Sequence, residues 1–187
     1  MNIILMGLRC TGKTSTGRRL AEMLGAPFTD TDELIERRTG RLISRIVAEK
    51  GWPAFRAEEK AVIRELAGAG RSVIALGGGA VCDAENVEVL KTNGVFVLLS
   101  ARPEAIAARM AGDEKRGAER PSLTGAPSVT EIQAVMAERE PLYRRLADIV
   151  IDTTKITADQ VAEAIRAGLR ERAKGVELTT VVSRKHR

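Results

Sequence analysis

At 187 residues the chain suits one domain, with a core large enough to fold without disulfides or metals. Hydrophobic residues at 44% and charged ones at 29% describe an ordinary globular protein, and the opening apolar run is too short for a signal peptide or a membrane span. The net charge of +5 is mostly terminal: six basic residues against Glu171 and Glu177 put +4 in the last eighteen residues, and an aromatic content of 3% leaves few platforms for bases, so a nucleic-acid partner is not expected.

Residues Asn2 to Met6 read as a strand that is apolar on both faces, as at the centre of a parallel sheet. Gly7-Leu8-Arg9-Cys10-Thr11-Gly12-Lys13-Thr14 follows at once and leads into a helix over Gly12 to Leu24. A buried strand feeding a glycine-bounded loop that opens a helix points backbone N–H groups at one spot, where the helix dipole also favours an anion. The pattern is that of a phosphate-binding loop, with Lys13 reaching the β- and γ-phosphates and the Thr14 hydroxyl on Mg²⁺.

Gly25-Ala26-Pro27 stops the helix, and Phe28-Thr29-Asp30 reads as a short second strand ending in Asp30-Thr31-Asp32. Helices are expected over Glu33 to Arg38, over Ile43 to Glu49, and from about Trp52-Pro53 to Ala67, with Thr39-Gly40 and Gly51 as breaks. Arg71 to Leu76 is a third strand and ends in Gly77-Gly78-Gly79, a backbone that something must approach closely. Asp83 is placed to cap a helix over Ala84 to Lys91; Gly94 to Ser100 is the fourth strand, and Arg102-Pro103-Glu104 opens another helix. From Gly112 to Pro127 apolar periodicity gives way to glycine, proline and charge, which reads as a lid. A long helix over Ser128 to Arg145, a last strand Ile149 to Asp152 and an amphipathic helix from Thr157 to Leu169 complete a domain of about residues 1–172, with a basic tail at 173–187.

Strands separated by helices throughout predict an α/β fold: five parallel strands with helices on both faces and right-handed crossovers. Ligands in such sheets collect at the carboxyl ends of the strands. Three of those ends are unusual here: the phosphate loop, the aspartate pair and the glycine triplet. One of Asp30 and Asp32 can supply a carboxylate to Mg²⁺ through water, leaving the other to face an acceptor hydroxyl; the plain alternative is that Asp32 caps the helix from Glu33. Arg56, beside Glu58 and Glu59, and Arg139, before Glu140-Pro141-Leu142-Tyr143, suit a small anionic substrate because guanidinium groups pair bidentately with carboxylates and phosphates.

These motifs together resemble the shikimate kinases. The likeness runs from Met1 to about Leu169 and rests on Gly7 to Thr14, Asp30-Thr31-Asp32, Thr39 to Ile43, Phe55-Arg56-Ala57-Glu58-Glu59, Leu76 to Val81, Arg120-Pro121 and Arg139 to Tyr143. The resemblance implies ATP-dependent phosphorylation of the shikimate 3-hydroxyl; the composition makes a cytoplasmic enzyme the expectation, and a monomer is expected because no apolar stripe is left over once sheet and helices are assembled. By matching position, Asp32 would bind the acceptor hydroxyls and act as base or orienter, while Arg56 and Arg139 would clamp the carboxylate. Phe55 and Gly77 would line the same site, and Gly78 and Gly79 would offer backbone to the ring hydroxyls. Asp30 would join Thr14 at Mg²⁺, Lys13 and the lid residue Arg120 would neutralise the transferred phosphoryl group, and Gly7, Cys10, Thr11, Gly12 and Ser15 would hold ATP. Arg109 is a candidate for stacking on adenine, and Lys155 for bordering it.

The sequence departs from the family pattern in several places. Cys10 stands where a glycine is usual, which would expose ATP binding to thiol reagents; Trp52 replaces a common glutamate, Ser122 a common leucine, and the lid is longer. Cys10 and Cys82 lack metal-like spacing and read as thiols outside any disulfide. Rival readings are another small-molecule kinase, acting on gluconate or a nucleoside monophosphate, and a nucleotide-binding regulator without catalysis.

Overall fold

The computed structural model describes residues 1–114 and 129–175. Most of the expected lid, with Arg120 and Ser122, and the tail from residue 176 lie outside the described residues.

Five strands form one wholly parallel sheet: β1 Asn2–Met6, β2 Phe28–Asp30, β3 Val73–Ala75, β4 Gly94–Ser100 and β5 Ile149–Asp152, in the order β2-β3-β1-β4-β5. Every residue of β1 is buried, as its unbroken apolar run requires at the sheet centre. Because side chains alternate along a strand, the sheet feeds two cores. Ile4 and Met6 join Ile74, Phe96 and Leu98 on one face, and Ile3 and Leu5 join Val73, Val97 and Leu99 on the other. The helices α1 Lys13–Leu24 and α7 Ala158–Ala173 cover the second face. The first face is covered by α3 Ile43–Ala69, α4 Ala84–Lys91, α5 Pro103–Glu114 and α6 Val129–Leu146, with α2 Thr31–Thr39 packed on α3.

Local details sharpen or shift the expected boundaries. Asp30 rather than Asp32 caps α2, its Oδ1 accepting from the backbone of Asp32 at 3.0 Å and Glu33 at 3.4 Å, so the helix begins two residues early at Thr31. The two helices expected on either side of Gly51 run on as α3 but kink there, where φ is +78° and a side chain would be strained. Helix α5 extends through Glu114, so Gly112 to Glu114, expected to open the lid, are helical, and α7 continues to Ala173, one residue beyond the expected domain edge.

The register decides where the site forms. Asp30 lies opposite Ala75, and Ala75 opposite Leu5, so β1, β2 and β3 end level with one another. The phosphate loop, the aspartates and the glycine triplet therefore emerge at one edge, beside the point where the chain crosses from β3 past β1 to β4.

Candidate active site

The loop after β1 is braced from inside and from behind. Gly7 holds φ at +140°, and a Cβ there would lie 2.2 Å from the Leu99 carbonyl oxygen, so no other residue fits. Lys13 Nζ donates to the carbonyls of Gly7 at 3.0 Å and Leu8 at 2.7 Å, and the Thr11 hydroxyl donates to Leu8 O at 2.8 Å. Ser15 Oγ donates to Gly12 O at 3.1 Å. From the end of β5, Thr153 Oγ1 reaches Thr11 O at 3.0 Å, and Arg109 on α5 donates to Cys10 O at 3.2 Å and to Thr153 O at 2.6 Å. Arg109 is thus tied to the back of the loop by its guanidinium edge. Lys155 is exposed in the connection from β5 to α7.

Cys10 adopts a backbone conformation that suits glycine better than a residue with a side chain. Its φ is +59°, in the left-handed region that side chains ordinarily avoid. The residue is half-buried and lines the cavity described below, whereas Cys82 is exposed, and neither is in a disulfide. Alkylation with iodoacetamide is therefore expected to inactivate through Cys10, with protection by Mg-ATP. Cys10→Gly is expected to remain active and to resist the reagent; inactivation of that variant at the wild-type rate would place the sensitivity elsewhere.

Thr14, at the start of α1, donates to Asp30 Oδ2 at 2.6 Å, bringing a hydroxyl and a carboxylate together at the loop mouth. With its two oxygens given to the α2 cap and to Thr14, Asp30 is committed to the donor side, while Asp32 is relieved of capping and lines the cavity. That cavity measures about 610 Å³ and runs from Cys10, Gly12, Lys13, Thr14 and Ser15 to Asp32, Phe55, Arg56, Glu59, Gly77 and Gly78. It falls within the range of small-molecule sites, roughly 300–1,000 Å³.

What presses on the glycine triplet is the protein itself. A Cβ on Gly77 would lie 2.7 Å from Asp32 Oδ1 and 3.0 Å from Glu59 Oε1, and one on Gly79 would lie 2.5 Å from Arg56 Nη2. The absent side chains make room for the carboxylate and the guanidinium at adjoining positions. Gly77 N donates to Thr31 Oγ1 at 2.9 Å, and the Gly78 carbonyl accepts from Arg139 Nη1 at 3.3 Å and from the Tyr143 hydroxyl. Arg139 and Gly79 adjoin the lining residues Gly78 and Arg56.

Arg56 is fixed on several sides: Nη1 meets Glu59 Oε2 at 2.6 Å, and the guanidinium lies 5.1 Å from the Phe55 ring centre and 5.5 Å from that of Trp52. Glu59, not Glu58, is its carboxylate partner. Burial raises the Glu59 carboxyl above the ordinary glutamate range, and Arg56 opposes this only in part. The folded state thus holds this proton more tightly than the unfolded chain. The stabilisation is complete below the ordinary glutamate pKa of about 4.3 and is lost as pH rises through the raised folded value. Glu59→Gln removes that dependence, so its Tm relative to wild type should move in the variant's favour between about pH 4 and pH 8. A difference that is flat with pH would contradict the raised carboxyl.

The family model for shikimate kinase matches residues 9–170. The chain belongs to the shikimate kinase family. A shikimate kinase of Syntrophus aciditrophicus is 46% identical over 172 residues, covering 88% of both chains. Among solved structures, shikimate kinase from Acinetobacter baumannii in complex with shikimate superposes with a TM-score of 0.84 at 36% identity, covering 91% of this chain and 93% of the other. The Aquifex aeolicus shikimate kinase does so with a TM-score of 0.78 at 30% identity, covering 94% and 100%. These relatives make the protein a kinase, a phosphotransferase with an alcohol acceptor. The shikimate kinase site gains residues that sequence reasoning gave no role: Thr31, Thr153 and Tyr143. Thr31 and Tyr143 left a trace, the one inside the Asp30-Thr31-Asp32 run and the other as the last residue of the Arg139 motif; Thr153 left none. No helix among the described residues is long and apolar enough to cross a membrane.

Proposed function

We propose that the protein transfers the γ-phosphoryl group of ATP to the 3-hydroxyl of shikimate, giving shikimate 3-phosphate and ADP in the route to aromatic amino acids. One observation carries the reading: Asp32 and Arg56 flank a bare glycine strand end within the cavity that also holds Lys13 and Thr14. A carboxylate for a hydroxyl and a guanidinium for a carboxylate, set opposite a phosphate loop, match an acceptor that is both an acid and an alcohol.

Asp32 accepts the hydrogen bond of the 3-hydroxyl and aims its oxygen at the γ-phosphorus. As the new P–O bond forms, the bond between the γ-phosphorus and the β-γ bridging oxygen breaks, that oxygen leaves with its electron pair on ADP, and the hydroxyl proton passes to Asp32. Arg56 and Arg139 clamp the carboxylate at the far end of the ring. Because the Gly78 carbonyl is already taken by Arg139 and Tyr143, the triplet's contribution to the ring hydroxyls is assigned to the N–H groups of Gly78 and Gly79. The backbone of Gly7 to Ser15 cradles the phosphates, Lys13 and Arg120 offset the charge of the transferred group, and Arg109 and Lys155 flank the adenine. Thr14 Oγ1 and Asp30 Oδ2 are hard oxygen donors 2.6 Å apart, a pair whose chemistry fits Mg²⁺; the threonine would hold the ion directly and the aspartate through water. The ion would supply charge neutralisation at the β- and γ-phosphate oxygens. In a loose phosphoryl-transfer transition state the residues act chiefly by position and charge, so aim outweighs basicity at Asp32.

The test is ADP release by the protein with Mg-ATP and shikimate, gluconate or AMP in turn. Release with shikimate alone is expected. Release with gluconate or AMP but not shikimate would overturn the acceptor, and silence with all three would favour a regulator.

A further inference from the structure

The wall against which the acceptor is read has no side chains of its own to hold it. Gly77 is tied by its N–H to Thr31 and by its carbonyl to Ala80 N at 3.1 Å, and Gly79 O accepts from Cys82 N at 3.0 Å. The carbonyl between them, on Gly78, is held from outside the segment by two donors that share one helix. Arg139 and Tyr143 lie four residues apart on α6, hence on one face, and both reach Gly78 O.

The two donors are unequal. Arg139 Nη1 is 3.3 Å from the carbonyl, a long contact for an N–H donor, and the buried Nε of Arg139 has no hydrogen-bond partner among the described residues. The Tyr143 hydroxyl makes the closer contact from a ring that is only 3% exposed, in the apolar cluster that also contains Leu8, Leu98 and Met136. Burial pushes the phenol up to about 12, against the opposing effect of Arg139, so it remains a donor throughout the range in which a kinase is assayed. A hydroxyl sunk in such a cluster is costly unless it bonds, and phenylalanine would fill the same space without it.

We propose that Tyr143 is a positioning residue for the acceptor: by holding the Gly78 carbonyl it spares Arg139 for the substrate carboxylate and keeps the glycine wall in register with Asp32 and Arg56. This rests on the acceptor reading above. Without the hydroxyl, Arg139 loses its contact with the phenol oxygen and is the carbonyl's remaining donor among the described residues, so it is drawn onto the carbonyl and away from the substrate. Tyr143 thereby acts through Arg139 rather than on the reacting atoms.

The test is steady-state kinetics and thermal melting of Tyr143→Phe, Arg139→Met and the double variant, beside wild type. The KM for shikimate of Tyr143→Phe is expected to rise about tenfold, the scale of one hydrogen bond, with kcat and the KM for ATP within about twofold. In the Arg139→Met background the same change should add little, since the residue it acts through is gone. A KM for shikimate that does not move, or a penalty that adds in full to that of Arg139→Met, overturns the proposal. So does a variant too unstable to assay, or one that shifts Tm, kcat and both KM values together, because either marks a purely structural tyrosine. Loss of shikimate turnover in the wild-type protein would overturn the acceptor reading and this proposal with it. Wild-type turnover with an unmoved Tyr143→Phe overturns the proposal alone.

Discussion

Asp32→Asn is expected to fold, to bind Mg-ATP, and to lose about a hundredfold or more in kcat, the order usual for a group that both aims a nucleophile and takes its proton. The substitution keeps the shape of the side chain. It also leaves the α2 cap intact, because the cap is made by Asp30. Folding and catalysis are thereby separable at this position, which they would not be if Asp32 were the cap. The sole tryptophan, Trp52, lines the cavity, so its fluorescence is expected to report shikimate binding without depending on turnover. Near-normal kcat in the variant would remove Asp32 from the mechanism.

Gly79→Ala is expected to raise the KM for shikimate about tenfold to a hundredfold while leaving the KM for ATP near wild type, the cost of weakening a charge-assisted hydrogen bond. The added methyl group would lie 2.5 Å from Arg56 Nη2. What it meets is the end of a flexible side chain rather than backbone, so the chain can fold by moving the guanidinium. Moving it breaks the alignment set by Glu59 and the two aromatic rings. The phosphate loop is untouched, which is why ATP should not notice. A KM for shikimate within twofold of wild type would show that Arg56 can step aside without loss, and would contradict its assignment to the carboxylate.

The donor half of the site was legible in the residues themselves. A phosphate-loop pattern is local, with strand, glycines, lysine and hydroxyl all within the first fourteen residues, and the structure has the strand, the loop and the helix start that their spacing predicts. The break at Gly51 and the cap at Asp83 were equally local. The aspartate pair was legible only as a pair: which one caps depends on Asp30 being the last residue of β2, in register with Ala75 and beside Thr14, and none of these neighbours is adjacent in sequence. The glycine triplet announced a close approach without saying of what. The visitors come from Asp32, Arg56 and Glu59 on two other helices, a tertiary fact that no local pattern carries. Tyr143 shows the same limit, since its spacing from Arg139 was visible but their common target, some sixty residues away, was not. Cys10 shows the reverse. The sequence marked it as an oddity, and the structure shows what the position demands, a backbone at φ +59°.

The central claim is that one cavity joins an ATP donor to the 3-hydroxyl of shikimate, and phosphorus NMR of the complete reaction tests it most directly. With protein, Mg-ATP and shikimate, the account predicts a single new phosphomonoester resonance, coupled to the proton on the third ring carbon and growing in step with ADP. Inorganic phosphate as the only new product, or a phosphomonoester on a different hydroxyl, would contradict it.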